Sequence, residues 1–185
     1  MKEFFATHEE FLEYIYEHFS DDVYRLTYTY VKNREVAEDL VQEVFFKCYR
    51  NFDKFNGESS LKTWIFRIAI NQCKDYLKSA YAKYVLLSNK IVELSLGRSR
   101  SAEEVVLETY GNTDLTEKII KLPLKYREVL FLHYYHHLKI REIAIMLNIK
   151  ENTVKSRMKR AKELLKKVYS EKGGMTYGEE TKTTG

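Results

Sequence analysis

The densest chemistry in the chain lies in residues 150–169, which hold eight basic and two acidic side chains. Val154, Met158, Ala161, Leu165 and Val168 recur there at steps of four and three, which makes one buried stripe of a helix. Asn152, Ser156, Lys159, Arg160 and Glu163 fall on the opposite face, with Lys155 and Arg157 at its flanks. A merely solvated helix mixes signs through i,i+4 pairs. So predominantly basic a helix suits a polyanion: in a duplex major groove Arg or Lys reach guanine edges while neighbouring Lys and Ser hold phosphates.

The residues just upstream supply the element that would present such a helix. In Ile140–Met158, IREIAIMLNIKENTVKSRM, Ile143 and Leu147 lie one turn apart, and Ala144 is small enough for a close crossing. Asn148 stands where a tight turn needs a residue that tolerates positive φ, and Ile149 and Val154 plug the angle between two helices. This is a helix-turn-helix pattern, with Lys150 where a capping Ser or Thr is usual. The alternative reading is an ordinary helical hairpin in a bundle.

Other chemistries find less support. His133 and His137 in HYYHH have the i,i+4 spacing of a two-His metal pair, yet no third ligand or adjacent Glu accompanies them, so no metal is expected. Cys48 and Cys73 stand alone and read as small buried hydrophobes. No phosphate-cradling Gly-rich loop, nucleophile elbow or paired catalytic carboxylate occurs, so the chain is expected to be no enzyme and to use no cofactor or small-molecule substrate.

The elements behind these side chains follow from composition. Seven Gly and one Pro in 185 residues cannot furnish the turns of a sheet protein, so the fold is expected to be all-α. No apolar run reaches the roughly 18 residues of a membrane span, and MKEFFATHEEFLEY carries acids where a signal peptide is apolar, so a cytoplasmic protein is expected.

Helical spacing in the first third predicts three helices: Phe11 to Phe19, Val23 to Tyr30, and Val36 to Tyr49. Around FNGESS lies a loop in which Ser59 or Ser60 caps a basic helix, LKTWIFRIAINQCKDYLK, with Trp64, Ile65, Ile68, Ala69, Cys73 and Leu77 on its broad apolar face. Two small helical domains are expected, 1–82 and 113–171, joined by a flexible linker over 83–112 with a short helix near Ala102 to Tyr110; residues 172–185 read as a disordered tail. Charge is segregated: residues 1–51 carry 6 basic and 11 acidic side chains, and residues 113–172 carry 15 and 7. The second domain is a candidate polyanion-binding lobe, while the acidic front suggests a basic protein partner.

Four ordered blocks then resemble a known family: VYRLTYTYVKNREVAEDLVQEVFFKCYRNFDKF, GESSLKTWIFRIAINQCKDYL, LPLKYREVLFLHYYHHLKIREIA and ENTVKSRMKRAKELL. Together they resemble the extracytoplasmic-function (ECF) class of bacterial RNA polymerase sigma factors. The resemblance implies a promoter-specificity subunit that binds core polymerase, directs it to −35 and −10 elements and helps open the DNA. It implies that Asp39, Gln42 and Glu43 meet the clamp helices of the largest subunit, with Phe46 as an exposed aromatic anchor beside them. The flap is a second expected polymerase contact.

The same resemblance places a pocket for a flipped −10 base around Phe55, Gly57, Ser59 and Ser60, with Asn71 in base recognition and Lys62, Trp64, Arg67 and Lys74 as strand contacts. Rings and cations are what single-strand capture needs. The spacing of Trp64 with Ile68 equally fits core packing. For the −35 duplex it implies Asn152, Thr153, Lys155, Ser156, Arg157, Lys159 and Arg160. It also implies an anti-sigma factor, in many members membrane-anchored. The rival reading is an autonomous helix-turn-helix regulator that binds duplex without polymerase.

Overall fold

The structure, a computed structural model, describes residues 5–88 and 114–172. It contains α1 (His8–Val31), α2 (Arg34–Arg50), a 3₁₀ turn (Phe52–Lys54), α3 (Leu61–Ser88), α4 (Asp114–Lys121), α5 (Leu124–Leu130), a π turn (Phe131–Tyr135), α6 (Ile140–Leu147) and α7 (Glu151–Lys172). The described residues include no strand. The expected short helix near Ala102 to Tyr110, the linker beyond Ser88 and the tail beyond Lys172 lie outside the described residues.

The first two helices expected from the sequence are one. Ile15, Val23 and Leu26 are fully buried, so a single stripe runs through Ser20, Asp21 and Asp22, where no Gly or Pro interrupts the ladder. Thr7 starts α1 by accepting the Glu10 N–H at 3.1 Å, and the chain reverses at Lys32, whose φ of 53° closes the helix. Asn33 follows at once and caps α2 by accepting the Val36 N–H at 3.0 Å. This two-residue corner sets α2 back against α1.

α3 crosses both helices, and its side chains Ile65, Ala69 and Cys73 are fully buried, as the sequence predicts. Burial of Ile65 alone contributes about 1.5–3 kcal/mol. The helix runs on to Ser88, past the expected boundary at 82. A second set, Phe66 and Ile70, is also fully buried, and that was not expected.

In the second domain α5 leads through the π turn to α6. Asn148 adopts φ 54° and ψ 52°, the left-handed conformation expected for the turn, and the Ile149 N–H returns to Ala144 O at 2.9 Å. Val154 and Ala161 are fully buried and Met158 nearly so, which seats α7 by the first three residues of the expected stripe; Leu165 is half-buried, and the Val168 side chain lies outside the described residues. Leu122, Leu130 and Ala161 form a small core with Ile119, Tyr126, Leu164 and Leu165 packed on it.

The two domains are docked on each other, although the sequence predicts only that they are tethered. Ile120 packs with Tyr28 and Ala37, Phe66 meets the His136 ring edge-on at 4.4 Å, and α6 lies against α3. The burial of Phe66 is the visible mark of that docking.

Candidate functional site

Three surfaces carry the side chains singled out by the sequence. On α2, the buried residues Leu40, Val41, Val44 and Phe45 leave Asp39, Gln42, Glu43 and Phe46 facing solvent. Phe46 is 60% exposed, an unusual position for a large apolar ring, with the Arg50 guanidinium 5.7 Å from its centroid. Glu43 accepts a hydrogen bond from the Gln72 amide, and Lys47 donates to the same Gln72, so α3 holds this face in place.

The face is wider than the sequence reading. Gln42, Phe45, Phe46 and Tyr49 of α2 form one wall of an open groove, and Glu9, Leu12, Glu13, Tyr16 and Glu17 of α1 form the other. Glu9, Glu13 and Glu17 recur at steps of four, which is the signal that could have found them. Glu9 accepts from the Tyr49 hydroxyl at 2.8 Å; this bond holds the Glu9 carboxyl below its usual pKa and the phenol above its own.

The second surface is the loop before α3 and the helix itself. Gly57 takes φ 78° in open space, so backbone conformation rather than crowding selects glycine there. Ser60 caps α3 by accepting the Thr63 N–H at 3.1 Å, and Ser59 is exposed beside it. Phe55 and Trp64 meet as an edge-to-face pair at 5.3 Å, and Trp64 also lies 6.4 Å from Phe11. Trp64 is therefore half-buried, packing on the core while closing one side of the loop.

Arg67 and Asn71 are exposed one turn apart, and Lys74 is half-buried. Lys62 points elsewhere: its ammonium pairs with Asp22 at 2.8 Å and lies 5.4 Å from the Phe66 ring centroid. Of the expected strand contacts it alone is placed in the domain contact.

The third surface is α7. Asn152, Lys155, Ser156 and Lys159 are exposed, and Thr153 is half-buried. Ser156 donates to Thr153 O at 3.0 Å. Arg160 is paired with Glu163 at 2.9 Å, a local i,i+3 bridge that leaves the guanidinium half exposed. Arg157 reaches back to Glu128 of α5 at 2.8 Å and so anchors the helix.

The His133 and His137 spacing does not survive folding. The helical turn ends at Tyr135, His133 Nδ1 lies 2.9 Å from Leu138 O, and His137 sits at φ 56° beyond the helix. Cys48 and Cys73 are fully buried free thiols whose pKa values burial pushes up to about 12.

An acidic aromatic groove, a basic helix behind an aromatic loop and a basic recognition helix occur in one chain in that order. Family models agree with the order: Sigma-70 region 2 matches residues 15–83 and Sigma-70, region 4 matches residues 113–165. The ECF RNA polymerase sigma factor SigW of Bacillus subtilis is 33% identical over 156 residues, covering 80% of this chain and 83% of that protein. The chain belongs to the ECF sigma factors.

SigV, an RNA polymerase sigma factor of the same organism, is 32% identical over 145 residues, covering 78% of this chain and 82% of SigV. The fold matches the sigma factor RpoE of Bartonella quintana, solved in complex with the anti-sigma factor NepR. The TM-score is 0.68 at 21% identity, over 92% of this chain and 98% of that one. As an ECF sigma factor the chain is a promoter-specificity subunit of RNA polymerase, which sets aside the autonomous regulator. No helix among the described residues is long and apolar enough to cross a membrane.

Proposed function

We propose that this sigma factor divides its work among the three surfaces. Asp39, Gln42, Glu43 and Phe46, with the groove beside them, dock on the clamp helices of the polymerase largest subunit. The acids steer a basic partner and the aromatic walls receive its apolar side chains. Phe55 to Ser60, Trp64, Arg67, Asn71 and Lys74 capture the unpaired −10 strand, where stacking is worth about 1–3 kcal/mol per base. Asn152, Thr153, Lys155, Ser156, Lys159 and Arg160 read the −35 duplex, while Arg157 fixes the angle of the helix.

The observation that carries the reading is α7 itself. One side is sealed by Val154, Met158 and Ala161, and the other offers Asn152, Lys155, Ser156 and Lys159 to solvent. Catalysis belongs to the polymerase, with this chain as its cytoplasmic specificity subunit. The family likeness also supports regulation by an anti-sigma factor, and two structural neighbours were solved with such partners or their cytosolic domain, NepR and CnrY.

The test is reconstitution. Purified chain added to core polymerase should select promoters sharing −35 and −10 elements from a genomic library and start transcripts just downstream. A chain that binds duplex equally well without polymerase and selects a palindrome would refute the reading.

A further inference from the structure

A sigma factor must touch two elements whose nominal positions differ by about 25 base pairs, or ~85 Å of duplex at about 3.4 Å per step. A compact body of this chain's size is only about 40 Å across. The docked arrangement therefore cannot engage both elements, and what holds it shut decides when the protein can work. This inference rests on the promoter-specificity reading above.

The contact is built around one side chain. α1 ends with no basic residue in its last turn, leaving the partial negative charge of its terminal carbonyls uncompensated from within. Arg127 of the second domain fills that position. Its Nε donates to Thr29 O at 2.6 Å and one Nη to Tyr30 O at 3.0 Å; the other Nη donates to Leu122 O at 3.0 Å and Ile120 O at 3.4 Å. The guanidinium thus caps a helix end in each domain at once, and Arg127 is only 6% exposed. Next to it the Tyr30 hydroxyl donates to Glu128 at 2.8 Å, and Glu128 is in turn held by Arg157.

The other half of the contact is a buried histidine. His136 packs between Phe66 of α3 and Phe131, with Tyr135 beside it. Neither ring nitrogen has a hydrogen-bond partner among the described residues, and Asp22 Oδ1 stands 3.8 Å from Nδ1. The charged groups around it are Asp22 and Arg25 from α1, Lys62 from α3 and His137 from its own loop.

We propose that the free protein is latched shut by Arg127 acting across the domains, and that protonation of His136 releases the latch. Opening would hydrate the Thr29 and Tyr30 carbonyls, free the Tyr30 hydroxyl and expose the imidazole. Burial holds His136 at about 3 in the closed form, against an ordinary value of 6.5. The closed form therefore excludes a proton that the open form accepts. Closure is fully favoured above pH 6.5 and is lost progressively as pH falls toward 3. Lys32, lowered to about 8 by burial and by Arg127, titrates in the same direction but above this window.

Energy transfer in the full chain tests this, with dyes on Ser79→Cys and Lys150→Cys, both exposed positions, while the native thiols stay buried. At pH 7.5 the free protein should show a dominant high-transfer population, and core polymerase should convert it to low transfer. Between pH 7.5 and 5.5 the closed-to-open ratio should fall about tenfold, and His136→Phe should abolish that response. Arg127→Ala should shift the ratio toward open by tenfold or more. Because that change also orphans carbonyls inside the second domain, Arg127→Lys and Tyr30→Phe serve as milder variants; each should open the chain several-fold with unchanged helical content.

Opening should also tighten apparent binding to core by the fraction of competent molecules gained. A free wild-type chain already at low transfer, or no shift with both Arg127→Lys and Tyr30→Phe, overturns the latch. Failure to bind core at all would indict the functional reading instead.

Discussion

Arg157 on the recognition helix lies 2.8 Å from the carboxylate of Glu128, a residue only 4% exposed. A guanidinium expected at the DNA is thereby committed to the protein. Arg157→Ala should cost about 2 kcal/mol of stability, because it strips a charged partner from a buried acid. Thermal unfolding should show the loss, and binding to −35 variants should weaken evenly. A changed base preference would mean that Arg157 leaves Glu128 to read DNA.

The salt dependence of −35 binding follows from which cations remain available. Lys155, Lys159 and Lys162 are exposed, whereas Arg157 and Arg160 are paired with carboxylates. Three phosphate contacts give a log-log slope near −2.7 for the −35 contribution in holoenzyme. Comparing Lys159→Ala with wild type should reduce the slope by about 0.9. An unchanged slope would remove Lys159 from the phosphate set.

Replacing Asp39, Gln42 and Glu43 together by Ala should weaken core binding at least tenfold, measured by competition with labelled protein, with helical content preserved. Phe46→Ala should act separately through the groove. Normal binding by both variants would move the polymerase contact elsewhere.

Arg67→Ala with Asn71→Ala should spare polymerase binding and duplex recognition yet reduce open-complex formation on a closed promoter. A pre-melted template should restore much of the activity, since the unstacking cost has been removed beforehand. Equal loss on both templates would point to a docking fault rather than to strand capture.

The thiols offer a check on the core. With both pKa values near 12 and no solvent access, Cys48 and Cys73 should resist alkylation at pH 8 in the native protein. They should react at the rate of global unfolding. Fast labelling of either would show that α3 separates from α2 under native conditions.

Local patterns were legible in the sequence wherever one residue answers to its own neighbours. Asn148 supplied the left-handed turn, the cap of α3 was narrowed to Ser59 or Ser60, and the steps of four and three placed Val154, Met158 and Ala161 in the core. The continuity of α1 was not legible from apolar spacing, because Ser20, Asp21 and Asp22 separate Phe19 from Val23 while nothing there prevents a helix. The domain contact was not legible at all. Neither Arg127 nor His136 stands out in the sequence, and their partners, Thr29, Tyr30, Phe66 and Asp22, lie far away along the chain. For Arg127 those partners are main-chain carbonyls, which carry no residue identity to be read.

The π turn at Phe131–Tyr135 has a bearing on how length changes in this chain would be tolerated. Its closing bond runs from the His136 N–H to Phe131 O at 3.3 Å, one residue wider than an α-helical turn. Such a turn holds a residue the helix does not need. Removing one residue from it would restore ordinary winding and leave the direction of the chain beyond it nearly unchanged. The same deletion inside α7, where no residue is spare, would turn the polar side beyond it by about 100°. A one-codon deletion at the π turn should therefore spare promoter recognition, while one in the middle of α7 should abolish it.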